Sequence, residues 1–224
     1  MEKKKKEGEV LGSRRGRKVT LKKTPTHING LDEILNGGLP ARRTTLVVGE
    51  PGSGKTAMGI EYIFRGAINE EPGIFLGFEE PVTVLRENAL TFGWDLRSLE
   101  KNGKVFLMEG RLDPGIVMSG KFSLKPMLSI ITSKSREMGA KRVVIDALDV
   151  LLRLFESPSQ VRLELHQLNQ WLTESGLTSI LTLKPKEEPP GSRAANKIFG
   201  PAGESPVLAI CPFQPSRYIR HAGW

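Results

Sequence analysis

The chain has 224 residues, of which 38% are hydrophobic and 26% charged, and its formal net charge is +8. Those proportions are expected of one large water-soluble globular domain, and no apolar run approaches the length of a membrane span. The single cysteine, Cys211, excludes an internal disulfide framework, and the charged start Met1-Glu2-Lys3-Lys4-Lys5-Lys6 has no apolar stretch behind it to make a secretory signal, so a cytoplasmic protein is expected.

The charge is concentrated at the start. Residues 1–23 hold ten Lys and Arg against Glu2, Glu7 and Glu9, which is +7 of the total, so the remainder is nearly neutral. Such an arm suits salt-dependent contact with nucleic-acid phosphates. No aromatic residue interleaves with its charges to stack on bases, and a solvated, disordered leader over 1–24 is the preferred reading.

Next, residues 25–43 carry a short helix from Leu31 to Leu35, stopped by Gly37-Gly38. The β-branched run Thr44–Val48 predicts a buried strand, and a helix is predicted over 56–70 from its apolar spacing. Between them stands Gly49-Glu50-Pro51-Gly52-Ser53-Gly54-Lys55-Thr56, a complete GxxxxGKT loop in its required strand–loop–helix setting. Its glycines let backbone N–H groups approach a phosphate, and the helix N-terminus adds partial positive charge. Lys55 can reach β- and γ-phosphates, and the Thr56 hydroxyl can ligand Mg²⁺.

Further strands are predicted over Gly73–Phe78, Lys104–Met108, Arg142–Ile145 and Thr178–Leu183, with helices around 82–92, 122–138 and 159–175. This alternation predicts an α/β protein, a mainly parallel sheet with helices on both faces. Asp146 ends the fourth core strand as a Mg²⁺-binding carboxylate would; the competing role is a cap for the next helix, and Asp149 is the weaker substitute. Glu79 and Glu80 close the second strand. A carboxylate there could orient or deprotonate an attacking water, and the pair could equally open the helix at residue 82. His27 and His166 lack metal-ligand spacing with Cys211, Trp94 and Trp171 read as packing residues, and no GxSxG elbow is present.

From Pro185 the periodicity fades. Residues 185–224 hold seven of the fifteen prolines, and only Pro206–Ile210 resembles a strand. A truncation or a change of reading frame near Pro189 would produce such a break.

Taken together, Gly30–Pro40, the GxxxxGKT loop, Phe78-Glu79-Glu80, Phe92-Gly93-Trp94-Asp95-Leu96, Asp113-Pro114, Gly120–Leu124 and Arg142–Asp146 resemble, in order and spacing, a KaiC-like domain of the RecA superfamily, the circadian clock protein family, over roughly residues 25–184. The resemblance implies a RecA-like P-loop ATPase core that takes ATP and Mg²⁺ at subunit interfaces of a hexameric ring. It also implies that Glu79 and Glu80 activate the lytic water. Three departures accompany it. Arg42 stands where the family commonly has glycine. Nothing in 185–224 matches the family's last strands or the basic residues that reach a neighbour's nucleotide. One domain is present, without the phosphorylatable serine and threonine of the clock protein's second domain.

The expected site is therefore Gly49 to Thr56 for ATP, Thr56 and Asp146 for Mg²⁺, and Lys55, Glu79 and Glu80 for catalysis. A slow ATPase acting as a regulatory or signalling switch, with a protein partner, is the first reading. A DNA-binding recombination accessory ATPase is the second, and a nucleotide-binding but inactive interaction protein is the third.

Overall fold

The computed structural model describes residues 21–110, 123–153, 155, 157–184 and 207–209. Strands β3 (Thr44–Val48), β4 (Gly73–Gly77), β5 (Val105–Glu109), β6 (Arg142–Asp146), β7 (Thr178–Leu183) and β8 (Val207–Ala209) form one sheet in the order β5-β4-β6-β7-β3-β8. Every neighbouring pair is parallel. Parallel pairing needs a crossover, and these are supplied by α2 (Lys55–Ile68), α3 (Val82–Thr91), α4 (Leu96–Lys101), α5 (Lys125–Met138), α6 (Leu148–Leu152) and α7 (Pro158–Ser175). A four-residue helix, α1 (Leu31–Ile34), precedes the sheet.

The strands read as unbroken apolar runs because both faces are covered. Leu46, Ile74, Leu76, Val143, Ile145 and Leu181 point into a core with Leu128, Ile131, Leu148, Leu165 and Leu168 of α5, α6 and α7. Their neighbours Val47, Phe75, Val105, Val144 and Ile180 point the other way, against Ile60, Tyr62, Ile63, Leu85 and Leu96 of α2, α3 and α4. Register then fixes the site edge: Val48 pairs with Leu183, and Gly77 pairs with both Asp146 and Glu109. The carboxyl ends of β3, β4, β6 and β7 thus finish side by side.

The sequence expectation for the leader needs correction at its end. Lys23–Thr24 is ordered as β1, antiparallel to β2 (Leu39–Pro40). The pairing brings the Thr24 carbonyl so close to Gly38 that a Cβ there would stand 2.1 Å from it, and Gly38 itself has φ 110°. Only glycine meets both demands. Residues 1–20 lie outside the described residues. Arg42 adopts φ 57°, a left-handed turn that glycine takes without cost, and its N–H donates to Thr178 Oγ1 at 3.0 Å. The departure at this position keeps the turn and puts a strained side chain on it.

The strand expected within Pro206–Ile210 forms, as β8, and lies beside β3 with Val47 opposite Leu208. The sheet therefore extends past β3, which corrects the expectation that C-terminal strands are missing from it. The remainder of the tail, with Cys211 and His221, and the motifs Asp113-Pro114 and Gly120-Lys121-Phe122 lie outside the described residues. Among those described, no helix is long and apolar enough to cross a membrane.

Candidate functional site

Gly49 leaves β3 with its N–H donated to the Leu183 carbonyl of β7, at 3.2 Å. The loop turns through Gly52 (φ 77°) and Gly54 (φ 87°), a conformation that side chains disfavour. Gly54 is the N-cap of α2 and no side chain caps the helix, so its first N–H groups face the loop interior. Ser53 Oγ is buried and has no hydrogen-bond partner. Lys55 is only 6% exposed, and its ammonium donates to the carbonyls of Gly49 (2.7 Å) and Glu50 (2.9 Å). Glu50 thus contributes a carbonyl while its side chain is exposed, and exposed Pro51 stands at the wall of the cavity described below.

One residue into α2, Thr56 Oγ1 donates to Asp146 Oδ2 at 2.8 Å, across the end of β7. Asp146 is 3% exposed, and Thr182 Oγ1 donates to its other oxygen. The cap of α6 is Ala147 rather than Asp146, so the competing capping role is not the one adopted. Asp149 is engaged instead by the Lys184 N–H (3.3 Å) and by Arg153 (3.4 Å). Burial raises the Asp146 carboxyl above its ordinary pKa; the Thr182 and Thr56 hydrogen bonds oppose this, and Glu79 adds to it.

That shift has a sign that can be checked. The folded chain holds the Asp146 proton at a pH where the unfolded chain has lost it, so stability falls as pH rises from about 4 through the raised value. Asp146→Asn is expected to raise the melting temperature of the ligand-free protein at neutral pH and to flatten this acid-side slope. The same variant is expected to lose any stabilisation by magnesium with nucleotide. Thermal melts from pH 4 to 8, with and without magnesium and nucleotide, read all three.

Glu79 and Glu80, at the end of β4, line a cavity of about 460 Å³ together with Gly52, Lys55, Thr56 and Lys184. In the bend that follows β4 their side chains part: Glu79 pairs with the Lys184 ammonium, and Glu80 accepts from Asn88 Nδ2 at 3.3 Å. The structure thus sets Pro51, Gly52, Gly54, Lys55, Thr56, Glu79 and Glu80 around one cavity, with Asp146 bonded to Thr56 and the Gly49 and Glu50 carbonyls bonded to Lys55, and adds Lys184, Thr182 and Asn88. Thr182 lies inside the predicted strand Thr178–Leu183, which ends on this sheet edge, whereas Lys184 follows it with no motif to set it against Glu79. Trp94 packs half-buried against the core, as expected, stacking on Phe92 (4.8 Å between centroids) and Phe64 (6.1 Å), and it lines the cavity as well. Trp171 does pack, donating Nε1–H to Thr132 Oγ1 at 2.8 Å. His166 is exposed, the His27 backbone N–H bonds Asp32, and no cluster of three or more His, Cys, Asp or Glu side chains suited to a metal occurs among the described residues. Chemically, the site pairs a concavity of N–H donors and a buried ammonium with a hydroxyl–carboxylate couple. The first suits a polyphosphate and the second a magnesium ion.

The KaiC ATPase family model matches residues 24–198. Among curated relatives, the circadian clock oscillator protein KaiC of Prochlorococcus marinus subsp. pastoris is 40% identical over 168 residues, 74% of this chain and 33% of that protein. The same protein of Thermostichus vulcanus is 40% identical over 170 residues, 75% of this chain and 33% of its own length. The chain thus spans about a third of these relatives. A crystal structure of a KaiC-like protein from Pyrococcus horikoshii OT3 superposes with a TM-score of 0.70 at 31% identity, covering 85% of this chain and 82% of that one.

Proposed function

The chain belongs to the KaiC ATPase family, and from that premise we propose that it binds ATP with magnesium and hydrolyses it slowly, as a regulatory switch that self-associates around the nucleotide. The observation that carries the reading is the 2.8 Å bond from Thr56 Oγ1 to Asp146 Oδ2, a hydroxyl and a carboxylate beside the loop of the kind that suits a magnesium ion. The unpartnered Ser53 hydroxyl and the left-handed Gly52 and Gly54 fit phosphate oxygens drawn into that loop.

In this reading the N–H groups of Gly52 to Thr56 cradle the phosphates. Lys55 exchanges two carbonyls for phosphate oxygens. Thr56 and Asp146 would hold the magnesium. Magnesium, when bound, neutralises charge on the β- and γ-phosphates. Glu79 or Glu80 takes the proton of the attacking water as its oxygen adds in line to the γ-phosphorus and ADP leaves. Half-buried Trp94 and exposed Phe92 offer an aromatic surface within the same cavity.

Phosphate release by the purified chain, with the double variant Glu79→Gln/Glu80→Gln beside it, tests the hydrolytic step. The double variant is expected to lose about 10²-fold or more in turnover, the usual worth of a positioned base, while ATP still binds. Equal turnover in both would remove hydrolysis from the proposal. Light scattering with and without ATP tests the assembly, an increase in mass on ATP addition being the expected result.

A further inference from the structure

The last two residues of β7 and the one that follows, Thr182, Leu183 and Lys184, each hold a different part of the site. The Thr182 hydroxyl donates to Asp146, the Leu183 carbonyl accepts from the Gly49 N–H, and the Lys184 ammonium donates to Glu79 Oε1. The Lys184 backbone is itself pinned, its N–H bonding Asp149 Oδ1 at 3.3 Å, so only the side chain is free to swing. That side chain lines the same cavity as Gly52, Gly54, Lys55 and Thr56. Lys55 is buried among carbonyls of the loop, whereas Lys184 spends its charge on the carboxylate that would have to accept a proton from water. While its Oε1 accepts from that ammonium, Glu79 is held toward Lys184.

We propose that Lys184 is a positioning residue that reads the third phosphate. Without triphosphate it pairs with Glu79 and keeps that carboxylate from acting as base. With triphosphate in the cavity, the more highly charged γ-phosphate draws the ammonium away, and Glu79 turns to the attacking water. A diphosphate ends short of Lys184 and leaves the pair intact. The exchange is one of hydrogen-bond partners alone and rests on the nucleotide reading above.

Calorimetric titration of the full chain with magnesium and either ADP or a non-hydrolysable ATP analogue tests it. Lys184→Met is expected to weaken the triphosphate analogue roughly tenfold, the loss of one charge-assisted contact, and to leave ADP unchanged. Glu79→Gln is expected to tighten the analogue severalfold, since no ion pair then has to break, again without effect on ADP. Lys184→Arg is expected to keep the preference for triphosphate. Equal effects of Lys184→Met on both nucleotides, or on neither, would overturn the role assigned to Lys184. A wild-type chain that bound neither nucleotide would overturn the nucleotide reading, and this one with it. Because the Lys184 and Glu79 side chains are 27% and 30% exposed and lie beyond the ends of their strands, the substitutions leave the core intact.

Discussion

Lys55→Ala is expected to abolish the response to ATP altogether: no heat on titration, no rise in melting temperature, and phosphate release at background. The side chain is 6% exposed, and its ammonium already holds two carbonyls in the ligand-free loop. On binding it trades those for oxygens of the β- and γ-phosphates. Hydrogen bonds to charged groups contribute about 1.5–3 kcal/mol each, so two lost contacts lower affinity by at least about 10²-fold. The readout is large because ligand binding adds to stability by mass action. At a nucleotide concentration 100 times Kd the wild-type gain is about 2.7 kcal/mol, and the variant forfeits it. Lys55→Met, which refills the space without charge, separates lost phosphate contact from a collapsed loop. If Lys55→Ala melted later on addition of ATP by the same margin as the wild type, the loop would not be the nucleotide site.

The parts of the fold that were legible in sequence share a physical cause. β3, β4, β6 and β7 are buried on both faces, so their residues form unbroken apolar runs, and the glycine loop is a local pattern that needs no tertiary context. The parts that were not legible are short or non-local. β1 and β2 have two residues each and exist only because they find one another. α4 spans six residues, too few for a periodic signal, although Asp95 accepting from the Ser98 N–H at 3.1 Å is an N-cap that sequence could have shown. Lys184 carries no motif: a lysine after a strand is ordinarily solvated, and only the folded sheet edge sets it against Glu79. Glu79 and Glu80 were legible as a pair, but which partner each takes depends on Asn88 and Lys184, which lie in other elements.

Arg142 was hidden for the opposite reason. A charged residue opening a strand reads as exposed, yet Arg142 is 0% exposed. Its guanidinium donates to the carbonyls of Tyr62 (2.9 Å), Pro25 (2.8 Å) and Thr26 (3.3 Å) and to Glu71 Oε2 through Nε (2.8 Å), and it lies 4.4 Å from the centre of the Tyr62 ring. Gly66 makes room for it, since a Cβ there would stand 2.5 Å from the Arg142 Cδ. One side chain thereby ties the entering segment at residues 25–26, the middle of α2 and the loop before β4 to the amino end of β6. Arg142→Ala leaves three carbonyls and a partly covered carboxylate without their donor, beside a cavity the length of the side chain. Breaking a buried pair of this kind costs about 3–5 kcal/mol, against a typical total stability of about 5–15 kcal/mol. For a chain of this size that is a fall in melting temperature of roughly 6–20 °C. Arg142→Lys is expected to recover little, because one ammonium cannot reproduce the fork that serves three carbonyls and a carboxylate. Glu71→Gln is expected to cost far less, since the Glu71 side chain is 31% exposed and water can take over its role. The lesion is at the amino end of β6 and the candidate metal carboxylate is at its carboxyl end. Arg142→Lys measured well below its melting point should therefore bind nucleotide as the wild type does. A melting temperature for Arg142→Ala within about 2 °C of wild type would mean that the guanidinium is not what closes this end of the sheet.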